Sequence, residues 1–504
     1  MMGPRFLGVA VILAVSTTAS ARQTPASAGV VSFANSGAPA AQTPFLRGLA
    51  LLHDFEYDRA AAEFRQAEAA DPGFAMAYWG EAMTFNHPVW MEQDLPAARG
   101  ALAKLGATPA ARAAKAGTAR ERAYLSAVET LYGDGSKEDR DGKYAAAMAS
   151  LHASYPDDVD GTAFLALAIL GTAHAGRDFA TYMRAAALLE EVFPTHQHHP
   201  GVVHYLIHCY DDPVHAPLGL RAARLYGAVA PDAGHALHMT SHIFLALGMW
   251  DDVVKANRQA IAVVDDQFRA AGRGPVMCGH YPSWLVYADL QQRNFTEARR
   301  YIDGCRQSAL IELKGRTPGG PDPDNSRTGA FLSVRQMLAA VTGEWAPADD
   351  VPLERASNWE RFADAYGSLI AANARHDRAT IASASATLGR LSPLLLQALD
   401  ASHNPDLAAR ATIKAIALQG AALVKIRGGD TASGLAALQD AAATESSAPI
   451  EFGPPAVAKP SFELLGDELL ALGRKSAAAD AYRSQLARTP GRTLTIEGLA
   501  RAVS

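Results

Sequence analysis

The chain has 504 residues, 49% of them hydrophobic and 19% charged, with a formal net charge of −6. That balance can bury a sizeable core and excludes a wholly disordered chain. The slightly acidic charge leaves no electrostatic footprint for nucleic acid.

Residues 1–21 read as an export signal. M-M-G-P-R carries one positive charge, F-L-G-V-A-V-I-L-A-V is a short apolar run, and Ala19, Ser20 and Ala21 satisfy the small-residue cleavage rule. The run is about ten residues, against roughly 20 for a spanning helix. The expectation is an exported bacterial protein, periplasmic or secreted, with no membrane span once the signal is removed. Residues 22–41, rich in Ala, Ser, Gly and Pro, read as a flexible leader.

From residue 42 onward, helical patterns with short breaks fill the chain. In residues 48–72, Gly48, Ala60, Phe64, Ala67 and Pro72 fall at the small, aromatic and proline positions of a tetratricopeptide unit. Small residues let the paired helices approach, the aromatic fills the gap, and the proline ends the second helix. The expected fold is all-α, with helix-pair repeats forming a right-handed superhelix, an α-solenoid. Residues 42–300 form its N-terminal array, 301–450 a stretch of degenerate helical repeats, and 451–504 a last unit preceded by a Gly-Pro-Pro loop.

In such repeats the first helix of each unit lines the concave face. In A-Y-W-G-E-A-M-T-F-N-H, Trp79, Met83 and His87 take inward positions, while Glu81 faces the paired helix. Eleven of the 16 histidines lie between residues 174 and 280, so the centre of the array is where they concentrate. H-Y-L-I-H carries His204 and His208, and H-A-L-H-M-T-S-H carries His238 and His242. The two pairs take the same two inward positions in successive units, one repeat apart. Four imidazoles are therefore expected on two adjacent helices, on one surface. Asp211 and Asp212 are inward positions of the first unit, and His280, in C-G-H-Y-P-S-W, is an inward position of the unit that follows. The second His unit keeps Gly248, Trp250 and Ala260 in register, but Asn257 stands where the aromatic belongs.

Two histidines one helical turn apart can reach a common ion with their ring nitrogens, at about 2.0–2.1 Å. Imidazole-rich sites suit Cu, Zn and Fe. The metal reading assigns His204, His208, His238, His242 and His280 as ligands of a transition-metal ion, in a protein that could be a metalloenzyme. Two readings stand beside it. One is a non-catalytic scaffold that takes a peptide or protein in its concave groove. The other is a small-molecule binder with walls from Trp79, Trp90, Tyr205 and Trp284. No H-E-x-x-H, G-x-S-x-G, Walker or Rossmann motif is present. His196, His198 and His199 sit in a Pro-bounded loop, and His53, His152, His376 and His403 look scattered and structural. The three cysteines, Cys209, Cys278 and Cys305, read as buried single thiols, with one bridge as the alternative.

The last unit, residues 462–490, has Phe462, Leu465, Gly466, Gly473, Ala478, Tyr482 and Pro490 in register, which turns Glu463 and Asp467 inward. Together, H-P-G-V-V-H-Y-L-I-H, H-A-L-H-M-T-S-H-I-F-L-A-L-G-M-W and P-S-F-E-L-L-G-D-E-L-L-A-L-G-R resemble a family of bacterial exported tetratricopeptide-repeat proteins with a His-rich centre. The resemblance spans roughly residues 42–504 and implies a helical-repeat superhelix. It implies groove binding of a protein partner and carries no catalytic residue.

Overall fold

Phe64 is fully buried against Gly48 and Gly80, the contact that the first repeat's pattern requires. In this computed structural model, residues 27–317, 326–345, 351–401, 406–450 and 452–504 are described. Helix Pro39–His53 pairs with Tyr57–Ala70, and nearly every later helix packs on its sequence neighbour, as a helix-pair repeat demands. The array is an all-α solenoid. The one sheet among the described residues is a minimal hairpin, Asn86–His87 against Glu92–Gln93.

Trp250 opens the helix Trp250–Ala270 at the position that the repeat register gives it, and Phe295 opens Phe295–Gly315. The degenerate stretch is helical too, with Arg327–Thr342, Asn358–Ala374, Arg378–Ala401, Leu407–Gly428 and Thr431–Ser446. Leu407–Gly428 is long and apolar enough to cross a membrane by length and composition, but it packs between its two neighbouring helices as a core helix does. Apolar side chains gather into two clusters, one running from Phe33 to Ala356 and one from Ala339 to Ala502.

The proposed signal, residues 1–21, lies outside the described residues. The leader is not loose from residue 27 onward. Phe33 is buried against Phe45, Trp79 and Tyr124, and Ser36 bonds the carboxylate of Glu121. Phe33 and the polar bonds around it, including Arg120 to the Ala34 carbonyl and the Ala38 N–H to Asp71, hold the segment down. Cys278 and Cys305 form a disulfide, and Cys209 alone is a buried free thiol.

The C-terminal unit returns to the His-rich repeats. Gly248 and Gly491, both at positive φ, approach so closely that a Cβ on Gly248 would lie 2.8 Å from the Gly491 Cα. Only glycine satisfies both the backbone and the space. Trp250 Nε1 donates to the Gly491 carbonyl at 3.1 Å, and Thr493 bonds Gln291. These contacts tie the last unit to the helix ends of the His repeats.

Candidate metal centre

The helices Pro200–Tyr210 and Gly234–Ala246 carry the His pairs. Pro200 starts the first with a fixed φ, and His199 caps it by accepting the Val202 N–H. Every residue of that helix is buried, so its histidines face protein on all sides. His204, His208, His238 and His242 are all 3% exposed or less.

The six imidazoles that meet here form two sets of three. His204, His208 and His235 make one, and His238, His242 and His280 the other, with ligand atoms in each set all within 4.8 Å of one another. The sets adjoin. The ring centroids of His208 and His242 are 6.2 Å apart, and those of His235 and His238 are 6.3 Å apart. His235 is new relative to the sequence reading. It lies three residues before His238 and seven before His242, which puts all three on one helical face. Its Nε2 is buried with no hydrogen-bond partner among the described residues.

Second partners fix which ring nitrogen carries hydrogen. Helix Pro39–His53 ends at His53, whose carbonyl has no intrahelical partner. That carbonyl accepts the Nδ1–H of His204 at 2.6 Å. Asp211 Oδ2 accepts the Nδ1–H of His242 at 2.6 Å. His238 Nδ1 lies 2.7 Å from Asn257 Oδ1, while Asn257 Nδ2 donates to the Val253 carbonyl at 2.9 Å. The latter bond orients the amide, so His238 Nδ1 must be the donor. Asn257, the residue that departs from the repeat pattern, is thus the orienting partner of a candidate ligand.

With their Nδ1 hydrogens committed, His238 and His242 face each other through Nε2 lone pairs at 3.1 Å. His204 and His208 repeat that spacing, also at 3.1 Å. Two nitrogens each about 2.0–2.1 Å from one ion, at angles of roughly 90–110°, stand roughly 2.9–3.4 Å apart. The observed spacing therefore fits two donors on one ion. Burial first, and repulsion among neighbouring imidazoles second, hold His204, His208, His235 and His238 well below the usual histidine range. The rings are neutral at pH 7, the form that coordinates.

Aromatic rings enclose the cluster. Phe55 lies 4.4 Å from His204, Trp284 4.3 Å from His242, and Phe452 of the Gly-Pro-Pro loop 5.4 Å from His242. The exposed His280 opens the second set to a cleft of about 900 Å³ that Tyr281, Trp284, Arg273, Arg327 and Phe452 also line.

A third group, His53, Asp160 and His199, resembles a metal site only in composition. Both imidazoles donate through Nε2 to Asp160 Oδ1, at 3.0 and 3.2 Å. His53 Nδ1 accepts from the Tyr205 hydroxyl at 3.0 Å, and His199 Nδ1 accepts from Val202 N. No nitrogen lone pair remains for an ion. Burial opposes ionisation of Asp160, yet the bonds from His199 and His53 hold its carboxyl below the ordinary range. This network supports the His53 backbone that orients His204, so His53 is neither scattered nor incidental.

Other expected groove residues lie elsewhere. Trp79 is packed in the core with Phe33, Tyr124 and Phe164. Tyr205 is fully buried and serves His53. His87 stacks on Tyr57 at 4.0 Å, outside both sets. Asp212 pairs with Arg177 and His215. Glu463 is buried against Arg492 and Lys459, and Asp467 binds Lys459 and the Tyr482 hydroxyl. They form an ion network of the last unit and belong to neither His set. Glu81, as its position implies, is buried in ion pairs with Arg65 and Lys104.

No protein-family model matches the chain, and no curated protein matches it in sequence. Solved structures match loosely. A chain of the APC/C hetero-tetramer Cut9–Hcn1 is 11% identical over 94% of this chain and 78% of that one, with a TM-score of 0.36. Human IFIT1, solved as a dimer with m7Gppp-AAAA, is 12% identical over 94% of this chain and 91% of its own, with a TM-score of 0.38. The TPR domain of P58(IPK) is 12% identical over 92% and 97%, with a TM-score of 0.19. At such scores the helix pairing described above carries the fold assignment.

Proposed function

We propose that this protein is an exported transition-metal-binding protein whose ions are held by His204, His208, His235, His238, His242 and His280. One observation carries the reading. His238 and His242 bring their Nε2 atoms to 3.1 Å, and in the neutral rings both carry lone pairs, because Asn257 and Asp211 hold the hydrogens at Nδ1. Two facing lone pairs in a buried site are repulsive unless a cation joins them. The Asp211–His242 and Asn257–His238 bonds are the outer partners that metal-ligating histidines ordinarily keep.

Each set offers three protein donors, which leaves a coordination position open, as catalytic rather than purely structural sites do. An ion there supplies Lewis acidity or electron transfer. The protein residues hold the donors rigid, exclude water with Phe55, Trp284 and Phe452, and leave one approach beside His280.

The test is elemental analysis of the untagged protein, expressed with its native N-terminus, against a His238→Ala, His242→Ala double variant. Near-stoichiometric Cu, Zn or Fe in the parent, reduced in the variant, supports the reading. Metal-free protein after reconstitution with each of the three ions overturns it. Recovery of the chain in a periplasmic or culture fraction, shortened near residue 21, tests export.

A further inference from the structure

The two three-histidine sets share one pocket, and their donor chemistry narrows what they hold. We propose that they form a single binuclear copper centre, loaded as two Cu(I) ions and acting as a two-electron redox unit. This rests on the metal-binding reading above and goes beyond it in nuclearity, metal and oxidation state.

The first argument is adjacency. Rings of different sets come within 6.2 and 6.3 Å, centroid to centroid, at His208–His242 and His235–His238. An ion on each set would then have the other as a near neighbour. His235 and His238, one from each set, also stand on the same helix, Gly234–Ala246, so the two ions would be tied to one rigid element.

The second argument is charge. All six donors are imidazoles. Among the described residues one carboxylate, Asp211, bonds a ring of the six, and it does so from behind, at the Nδ1 of His242. Carboxylate-rich sites suit harder ions, and this one has no carboxylate among its donors. Two further carboxylates stand behind the first set, Glu56 accepting the His235 backbone N–H and buried Asp54 accepting the Tyr226 hydroxyl, but neither bonds an imidazole, so the donor set itself brings no charge to offset two dications. Repulsion between two monovalent ions is about one quarter of that between two divalent ions at equal spacing. Copper is the strongest binder of the first-row divalent series and also has a stable monovalent state that accepts three neutral donors. Zinc has no such state.

The third argument is access. His280 is exposed and lies at the cleft, whereas His204 and His208 are closed in. A co-reactant would meet the pair from one side only.

Oxidation balances simply. Two equivalents of ferricyanide each take one electron, leaving two Cu(II) and two ferrocyanide ions. The experiment loads the full-length mature chain anaerobically with Cu(I), removes loose metal, counts copper, and records electron paramagnetic resonance after ferricyanide. The expected result is about two coppers per chain, with a resonance signal accounting for well under half of them, because a hydroxide from solvent bridging the two Cu(II) ions couples their spins. His280→Ala and His235→Ala each remove the most exposed ligand of one set. Each variant should retain about one copper, now fully visible, with an unchanged circular dichroism spectrum.

One copper per parent chain, or two that are both fully visible, overturns the binuclear assignment. Binding of Zn(II) but not Cu(I) overturns the metal and leaves the metal-binding reading standing. Binding of Fe alone likewise overturns the copper assignment only, and binding of none of the three ions, with the chain folded, overturns both.

Discussion

His238 and His242 stand one helical turn apart with their Nε2 atoms 3.1 Å from each other, and Asn257 and Asp211 hold the hydrogens at the opposite nitrogens. The outer partners, as much as the histidines, make this a site. Asp211→Asn tests that claim. The amide can offer N–H to the His242 Nδ1, which moves the ring hydrogen to Nε2 and blocks the donor. Metal affinity of the second set should fall by roughly 10–100-fold, as for other outer-partner changes. Chelator competition, set by set in a background lacking His235, measures it. An unchanged affinity would show that Asp211 does not set the tautomer.

Gly201 explains how the first set is supported. A Cβ at this position would sit 2.3 Å from the His53 Nδ1. Gly201→Ala must therefore displace His53, whose ring is tied to Asp160 and whose carbonyl holds His204. The expected loss is about 1–3 kcal/mol of stability, as for other overpacked cores. Metal should leave the first set more readily than the second. Urea denaturation and metal counts on the same preparation separate the two effects.

The helical-repeat fold was legible because its signals are local. Small, aromatic and proline residues recur in register, and Gly48, Phe64, Trp250 and Tyr482 sit where that register puts them. The one-repeat interval between the His pairs was legible for the same reason. The rest depended on contacts far apart in sequence. His53 reaches His204 across 151 residues, and Asp160 reaches His53 across 107, so no spacing rule exposes either. His235 was within reach of a helical-wheel argument. Asn257 was visible as a departure from the pattern, but its role needed the His238 ring beside it. Glu463 was expected inward, yet register cannot say which neighbour such a residue meets, and here it meets Arg492.

Glu463 makes the distinction testable. It is fully buried and holds Arg492 at 2.7 and 3.0 Å and Lys459 at 3.0 Å. Glu463→Gln removes the charge that offsets two buried cations. Breaking a buried pair from one side costs about 3–5 kcal/mol. We expect a lower urea midpoint, with the amount of metal bound by the remaining folded protein unchanged. A loss of metal at full stability would instead return Glu463 to the site.

The metal-free protein should be acid-sensitive in a defined window. Burial chiefly, with the neighbouring His199 adding to it, pulls His53 down to about 4 against the bonding of Asp160, from an ordinary value near 6.5. The unfolded chain then binds a proton between about pH 6.5 and 4 that the folded chain refuses. Stability from this group is complete above the unfolded value and is lost as pH falls through the window, by about 3 kcal/mol in all. His204, His208, His235 and His238 shift in the same direction and for the same first cause, so their losses add. Asp160, shifted below the carboxylate range, adds nothing until lower pH. Urea midpoints of the apo protein at pH 7.5, 6.5, 5.5 and 4.5 should fall steadily below 6.5. Bound metal should hold the midpoint up at pH 6.5 and then be lost with a steeper fall, because protons and metal compete for the same nitrogens. A flat profile from pH 7.5 to 4.5 in the apo protein would mean that these imidazoles are not buried and neutral in solution, and the donor set proposed for the metal would go with them.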